Sequence, residues 1–319
     1  MKRRALILTA IGLLAAPAAA TAARAAGAVL VMNSGAASLS VIDMATQKEL
    51  RRIPVLREPH HWALSPDGKE LLVGDSAGNE LLFFDPASFA LLRRMVMSDP
   101  YQLGFSPDGR YLVVNGLARA QTDIYDAKTY KLIKRIKLQS MPSHLDYAPD
   151  SSVVFISLQG SNRMAAIDLG TMTVKWNQPC GPAPAGVLYH NGEVLVADMG
   201  ADYIAVMNPA DGRELRRITT GKGAHQLFLS PDKQLIYVNN RIAGTIVALD
   251  AKSLKEVRSY KLPGGPDDIQ FAPNGDIWAT LRFAEKVAVL NPKTGDYTTI
   301  GVGRSPHGIF LNPRAVATP

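Results

Sequence analysis

Short stretches in which apolar and polar residues alternate follow one another along nearly the whole chain, separated by small or turn-forming residues. The first two run over residues 28–33 and 38–43, and others follow at 48–55 and about 61–65. A period of two, with many β-branched residues between turns, is typical of antiparallel β-strands. The pattern therefore predicts units of four short strands joined by tight connections.

One segment of this pattern, residues 58–68 (Glu-Pro-His-His-Trp-Ala-Leu-Ser-Pro-Asp-Gly), returns in six further versions. The Pro of each copy, or its equivalent, falls at positions 59, 100, 142, 184, 224, 266 and 306, in steps of 40 to 42 residues. Propeller blades repeat every ~40–50 residues. The sequence thus predicts an all-β fold, a seven-bladed β-propeller of four-stranded blades.

The phase of the repeat predicts how the ring closes. The chain begins on what is elsewhere the second strand of a unit and ends, at 308–312, on what is elsewhere the first. The C-terminal first strand should pair with the N-terminal three strands, so that no blade has an open edge at the seam. Residues 27–319 are therefore predicted to form a single domain, although the length alone would suggest about two.

Residues 1–26 have a different character. Lys2, Arg3 and Arg4 precede an apolar run over 5–20 that ends in small residues, which is the pattern of a cleaved secretory signal peptide. The run is shorter than the roughly 18 residues that a membrane anchor needs. We therefore expect a periplasmic or secreted protein with no membrane span.

Removing that segment changes the charge. The full chain has a formal net charge of +7, but residues 27–319 hold 31 basic and 28 acidic residues. Such a small excess argues against nucleic acid as a partner. The single cysteine, Cys180, excludes an internal disulfide, so stability should come from packing between blades. The chain is expected to be a monomer.

Two recurring features have sufficient structural explanations. An Asp or Asn ends each third strand and is predicted to hold the following turn: Asp43, Asp85, Asp126, Asp168, Asn208, Asp250 and Asn291. Basic pairs such as Arg93-Arg94 recur on the fourth strand. They could form a cationic rim for an anionic surface, or they could protect the outermost strand edges from pairing; the low net charge favours edge protection.

The repeats resemble those of the YVTN-type β-propellers. The resemblance rests on Leu-Ser-Val-Ile-Asp at 39–43, on Ser-Pro-Asp-Gly at 65–68 and 106–109, on Tyr-Val-Asn-Asn at 237–240 and on Ser-Pro-His-Gly at 305–308. Such propellers include binding proteins, surface proteins and domains of redox enzymes. Residues 265–295 also resemble the repeat of the streptogramin-lyase propellers, which are metal-dependent enzymes. Residues 166–176 are similar to the tryptophan-docking repeat of quinoprotein dehydrogenases, but this motif occurs once and has Met172 where Gly is expected.

Candidate functional residues follow from the copies themselves. The first strand of a blade lines the central channel, so the residue that opens it should lie at the channel mouth. Across the seven copies that position holds His60, Tyr101, Ser143, Ala185, His225, Asp267 and His307. The next position holds His61, Gln102, His144, Gly186, Gln226, Asp268 and Gly308. Five of the six histidines of the chain fall in these two columns.

Metal binding is one interpretation of these columns. His60, His225, Asp267 and His307 come from four consecutive blades, and imidazole and carboxylate are ligands for a divalent ion. With such an ion as Lewis acid, His61 or His144 would act as general base. A polar mouth that binds ligand without metal, or histidines with a structural role only, are the alternatives.

The sequence thus predicts an exported propeller that binds a small ligand, a metal ion or a protein at the mouth of its channel. A ligand site would include His60, His61, Tyr101, His144, His225, Asp267, Asp268 and His307. The alternative is a metal-dependent lyase or lactone hydrolase that uses the same histidines. A further alternative is an accessory subunit of a periplasmic redox enzyme.

Overall fold

The computed structural model describes residues 27–316, and these residues form seven four-stranded antiparallel sheets arranged as propeller blades. The expected signal peptide lies outside the described residues. Blade 1 contains β1 (Ala28–Asn33), β2 (Ser38–Asp43), β3 (Lys48–Pro54) and the last strand, β28 (Pro306–Asn312). Blade 2 contains β4 (Pro59–Leu64), β5 (Leu71–Asp75), β6 (Glu80–Phe84) and β7 (Leu91–Val96). Blade 3 contains β8 (Gln102–Phe105), β9 (Tyr111–Gly116), β10 (Gln121–Asp126) and β11 (Leu132–Lys137).

The remaining blades have the same strand order from the channel outwards. Blade 4 contains β12 (Pro142–Tyr147), β13 (Val153–Leu158), β14 (Arg163–Asp168) and β15 (Thr173–Pro179). Blade 5 contains β16 (Pro184–His190), β17 (Glu193–Asp198), β18 (Tyr203–Met207) and β19 (Glu214–Thr219). Blade 6 contains β20 (Ala224–Leu229), β21 (Leu235–Asn240), β22 (Thr245–Asp250) and β23 (Glu256–Lys261). Blade 7 contains β24 (Pro266–Phe271), β25 (Ile277–Leu281), β26 (Lys286–Leu290) and β27 (Tyr297–Gly301). Two short 3-10 turns, Ser34–Ala36 and Gln159–Ser161, join second and third strands.

The predicted closure of the ring is confirmed. β28 pairs with β1 in an antiparallel register that places Leu311 opposite Val29 and Ile309 opposite Val31. The sheet order of blade 1 is therefore β28-β1-β2-β3. β28 begins at Pro306, two residues before the predicted start, because the strand extends to the residue that opens it at the channel. Both ends of the described chain are fixed in one sheet.

The apolar core lies between neighbouring blades. Each of seven buried clusters draws its residues from the facing sides of two adjacent sheets. Between blades 1 and 2, for example, Leu30, Phe84 and Phe310 pack together, and Phe83 packs with Leu103 between blades 2 and 3. The inner strands read as nearly continuous apolar runs because both of their faces are covered in this way.

The outer strands are exposed, and most of their arginines are paired with acids of the same blade. Arg93 contacts Glu70 at 2.9 Å, Arg135 contacts Asp123 at 2.7 Å and Arg216 contacts Glu193 at 2.6 Å. Because these cations are neutralised in place, they do not form a free cationic rim. The structure favours protection of the strand edges.

Among the described residues, no helix is of the length and apolarity that crossing a membrane would require.

Candidate functional site

A β-bulge at the channel end of the first strand shapes the site. In blade 2, Pro59 lies opposite Asp75 and Trp62 opposite Val73, so His60 and His61 together face the single residue Gly74. An irregularity of this kind occurs at the same place in six of the seven blades. A bulge breaks the alternation of side chains and re-aims them. Two successive residues of a blade can therefore both point into the channel.

The five histidines of the two columns lie against one another inside the channel, and we call His60, His61, His144, His225 and His307 the neck cluster. His307 is at its centre: its ring centroid lies 3.8 Å from that of His60, 4.5 Å from that of His61 and 5.5 Å from that of His225. His144 lies 4.9 Å from His61 and 5.2 Å from His225. Two groups of three bring their ligand atoms within 4.8 Å of one another, His60 with His61 and His307, and His144 with His225 and His307.

Blades 4 and 6 reach each other because blade 5 between them contributes only Ala185 and Gly186. A Cβ at Gly186 would lie 2.6 Å from the carbonyl oxygen of His225. The absence of a side chain there lets the strands approach, and the His144 and His225 rings meet across the position of blade 5.

The neck cluster is buried, and its histidines are uncharged. Side chains of the cluster are between 1% and 6% exposed. Burial lowers the pKa of His144 to about 3 and lowers the pKa values of the other four well below their usual value. Neighbouring histidines and Arg241 add to this effect by repelling a second positive charge. Neutral imidazole is the form that binds a metal ion.

Several ring nitrogens of the cluster have no hydrogen-bond partner among the described residues, although they are buried: His60 Nδ1, His61 Nε2, His144 Nε2 and both nitrogens of His307. Buried polar atoms without a partner are rare in proteins, and each costs about 1–3 kcal/mol. Five such atoms lie close together in the channel.

Other groups fix the orientation of these rings. Ser143 Oγ and His144 Nδ1 are joined by a hydrogen bond of 2.9 Å. His225 Nδ1 lies 3.1 Å from both the carbonyl oxygen and a carboxylate oxygen of Asp267. The other carboxylate oxygen of Asp267 is 3.5 Å from His307 Nδ1, a distance that leaves electrostatic attraction but no hydrogen bond. Nε2 of His144 is left without a protein partner.

Asp267 also binds two arginines that the sequence analysis did not identify. One of its oxygens accepts from Arg241, and the other lies 3.3 Å from Arg282 Nη1. Both arginines directly follow the second strand of their blades, where the other blades have Ser34, Ser76, Leu117, Gln159 and Met199. An arginine at this position in two consecutive copies was the signal that could have revealed them.

The remaining candidates lie at the edge of the cluster. The Tyr101 ring stacks at 4.0 Å on His60, and burial raises the pKa of its hydroxyl to about 12. Asp268 accepts a hydrogen bond from the backbone N–H of Ile269. Burial and the neighbouring Asp267 raise the pKa of Asp268 well above its usual value.

The structure therefore brings the predicted residues together, but not in the predicted setting. We expected an open ring at the channel mouth, whereas Asp267 is fully buried and Asp268 is 8% exposed. The groups nearest to solvent are Arg241 and Arg282, whose side chains are 14% and 21% exposed. The sixth histidine, His190, is bonded to the carbonyl oxygen of Ala251, away from the cluster.

The fold, its ring closure and its repeats define the chain as a seven-bladed β-propeller built from YVTN-type units. Residues 5–316 match the family model of the YNCE-like beta-propellers. The chain belongs to that family. No curated protein sequence matches it significantly.

Solved structures share the fold at low sequence identity. A functionally unknown protein from Desulfotomaculum acetoxidans is 13% identical, with a TM-score of 0.76 over 90% of this chain and 99% of its own. The periplasmic gluconolactonase of Pseudomonas aeruginosa is 19% identical, with a TM-score of 0.71 over 92% of this chain and 99% of its own. The dihydro-heme d1 dehydrogenase NirN is 13% identical, with a TM-score of 0.67 over 92% of this chain and 77% of its own. At these identities the likeness concerns the fold alone.

Proposed function

We propose that the protein is an exported binding protein that holds one divalent transition-metal ion in the neck of its channel, with His61, His144, His225 and His307 as ligands. The observation that carries this proposal is the set of buried imidazoles packed against one another, of which His61, His144 and His307 each have at least one ring nitrogen without a protein partner. Export is supported by the leader-like sequence of residues 1–26.

The ring separations support this choice of four. With a metal–nitrogen distance of about 2.0–2.1 Å, an imidazole centroid lies about 3.2 Å from the ion, so two rings at the tetrahedral angle are about 5.2 Å apart. Around the loop of these four histidines the centroid separations are 4.5, 4.9, 5.2 and 5.5 Å. Four of the six ring-to-ring separations in this set are therefore close to those expected for ligands of a single ion.

The same geometry separates His60 from the ligand set. Its ring lies 3.8 Å from that of His307, and even two ligands at a right angle would be about 4.5 Å apart. Asp267 is engaged with two arginines and touches Nδ1 of His225 and His307. This is the place of a carboxylate that orients metal-binding histidines and raises their basicity.

The donor set limits the identity of the ion. Imidazole nitrogens suit Zn²⁺, Cu²⁺ and Ni²⁺, whereas Mg²⁺ and Ca²⁺ prefer oxygen ligands. We expect Cu²⁺ to bind most tightly and Zn²⁺ to be accepted in its absence.

Elemental analysis of protein produced without a metal-affinity tag tests the proposal. After dialysis against Zn²⁺, the wild-type protein should retain one ion per chain. His307→Ala and His225→Ala should retain none, and His190→Ala, which removes the histidine outside the cluster, should bind as the wild type does. Asp267→Asn should weaken zinc affinity by about 10–100-fold. A wild-type protein without stoichiometric Zn²⁺, Cu²⁺ or Ni²⁺ would contradict the proposal.

A second candidate is a metal-dependent lactone hydrolase or lyase that uses the same ion. It is favoured by His60, a neutral base with an unpartnered Nδ1 that lies beside His307 but outside the proposed ligand set. An ion bound by four histidines would have to accept the lactone carbonyl oxygen as a fifth ligand in order to polarise it, and His60 would accept the proton of the attacking water. Zinc-loaded protein should open gluconolactone faster than water does, and His60→Ala should lower the rate without loss of zinc. Opening at the spontaneous rate would refute this candidate and leave metal binding intact.

A further inference from the structure

Two arginines stand between the neck cluster and solvent. Arg241 and Arg282 occupy the same position in blades 6 and 7, directly after β21 and β25. Both contact Asp267, which in turn touches His225 and His307. A molecule that enters the neck from this face of the ring therefore meets the two guanidinium groups first.

The positive charge of this pair is only half neutralised. Asp267 is the one acid that forms an ion pair with either arginine among the described residues. The two arginines thus leave one positive charge at a partly desolvated place, where an anion is attracted most strongly.

An apolar surface adjoins these arginines. Ile242 and Phe283 are the residues that follow them, and they are 67% and 59% exposed. Each packs closely over a glycine with positive φ: a Cβ at Gly223 would lie 2.6 Å from Ile242 Cγ1, and one at Gly265 would lie 2.4 Å from Phe283 Cδ2. Both apolar side chains are therefore held in defined positions by the loops that lead into the first strands of their blades.

We propose that this entrance binds a small organic anion. A carboxylate, or a similar oxyanion, would accept hydrogen bonds from Arg241 and Arg282, and the apolar part of the same molecule would lie on Ile242 and Phe283. The inference rests on the proposed function in one respect only: the entrance is the route to the metal site, so the ligand of the arginines lies beside the ion.

Fluorine NMR with para-fluorobenzoate as probe and para-fluorobenzamide as its uncharged counterpart tests this proposal on the zinc-treated protein. Because charge-assisted hydrogen bonds to arginine are about twice as strong as neutral ones, the benzoate should bind about tenfold or more tightly than the benzamide. Line broadening and a chemical-shift titration report binding directly. Equal affinity for the two probes would overturn the proposal without recourse to any variant.

Variants place the binding at the entrance. Arg241→Gln combined with Arg282→Gln should reduce benzoate affinity about tenfold or more, and Phe283→Ser should weaken both probes. Arg304→Gln is the matched control, because Arg304 donates to the carbonyl oxygen of Gly35 in the 3-10 turn of blade 1 and forms no ion pair with Asp267 among the described residues. A loss of affinity in Arg304→Gln equal to that in the double variant would overturn the proposal.

The zinc content of each sample separates the two proposals. Protein that retains zinc but does not prefer the benzoate refutes the anion site alone. Protein that prefers the benzoate but holds no zinc refutes the metal site alone and leaves the anion site standing.

Discussion

Lowering the pH from about 6 to about 5 will destabilise the metal-free fold through the neck cluster. In the folded protein, burial holds the pKa values of the five histidines well below the value of about 6.5 that they have in an unfolded chain. Below that value the unfolded chain binds protons that the folded chain does not bind. Stability therefore falls as the pH falls through about 6.5 and is fully present above it.

The size of the effect follows from the number of groups. Between about pH 6 and pH 5 each histidine that stays neutral in the folded state costs about 1 kcal/mol of stability, so the cluster costs about 5–6 kcal/mol if all five stay neutral. Three buried acids act in the opposite direction, since burial raises the pKa of Asp146 to about 6, that of Asp198 to about 7 and that of Asp268 well above its usual value. These acids bind protons in the folded state and offset about half of that loss, which leaves a net loss of about 2–3 kcal/mol.

Urea denaturation followed by tryptophan fluorescence, at a series of pH values in the presence of a chelator, measures this loss. His144→Gln should reduce the loss by about 1 kcal/mol, because one buried neutral imidazole has been removed. His190→Gln should leave it unchanged, because His190 lies outside the cluster. A stability that is constant or that rises from pH 6 to pH 5 would show that the cluster is protonated in the folded state and would refute the reasoning.

Three further predictions concern the ring and its neck. Phe83→Ala should lower the free energy of unfolding by about 3–5 kcal/mol, since the side chain is fully buried between blades 2 and 3; a loss below about 1 kcal/mol in urea denaturation would contradict this account of the core. Deleting residues 306–319 removes β28 and exposes the edge of β1, so size-exclusion chromatography should show aggregation or unfolding. A compact monomer of undiminished stability would argue against closure through β28. Gly308→Ala should lower zinc content while the protein remains folded by circular dichroism, because the new Cβ would lie 2.6 Å from the His60 carbonyl oxygen and 3.0 Å from Met32 Sδ. Unchanged zinc binding would mean that the neck cluster accommodates the added methyl group without a change in the positions of its ligands.

The fold could be predicted from the sequence because every blade repeats the same alternation of apolar and polar residues and the same turn residues. The alternation at residues 38–43 predicted β2, and the phase of the repeat predicted that the last strand would pair with β1. The turn role of the acids after the third strands is also confirmed: Asp43 accepts from the backbone N–H and the hydroxyl of Thr46, and Asp126 does the same with Thr129. Each of these features depends on residues close in sequence or on the period itself.

For the candidate site, the sequence predicted which histidines and carboxylates lie together, but not how they are arranged or how deeply they are buried. Strict alternation places His60 and His61 on opposite faces of a strand, and only the register of β4 against β5 reveals the bulge that turns both into the channel. The cluster is buried because the seven first strands lie close to the channel axis. The small residues Ala185 and Gly186 allow this close approach, so burial depends on them as well as on the histidines. Arg241 and Arg282 were not predicted, because the candidate positions lay on the first strand of each blade. These two arginines come directly after the second strand.

The bulge also affects how a ligand bound in the channel could leave. The histidines of the neck cluster lie on strands whose backbones are hydrogen-bonded in a sheet. Those strands form the inner wall of a closed ring. A metal ligand on a mobile loop can move away from the ion together with the loop. The neck-cluster histidines cannot turn outwards unless hydrogen bonds between strands break or two blades separate. An ion held there would therefore leave along the channel, past Arg241 and Arg282, while its ligands stay in place, so its residence time would depend on passage through that entrance as well as on its affinity.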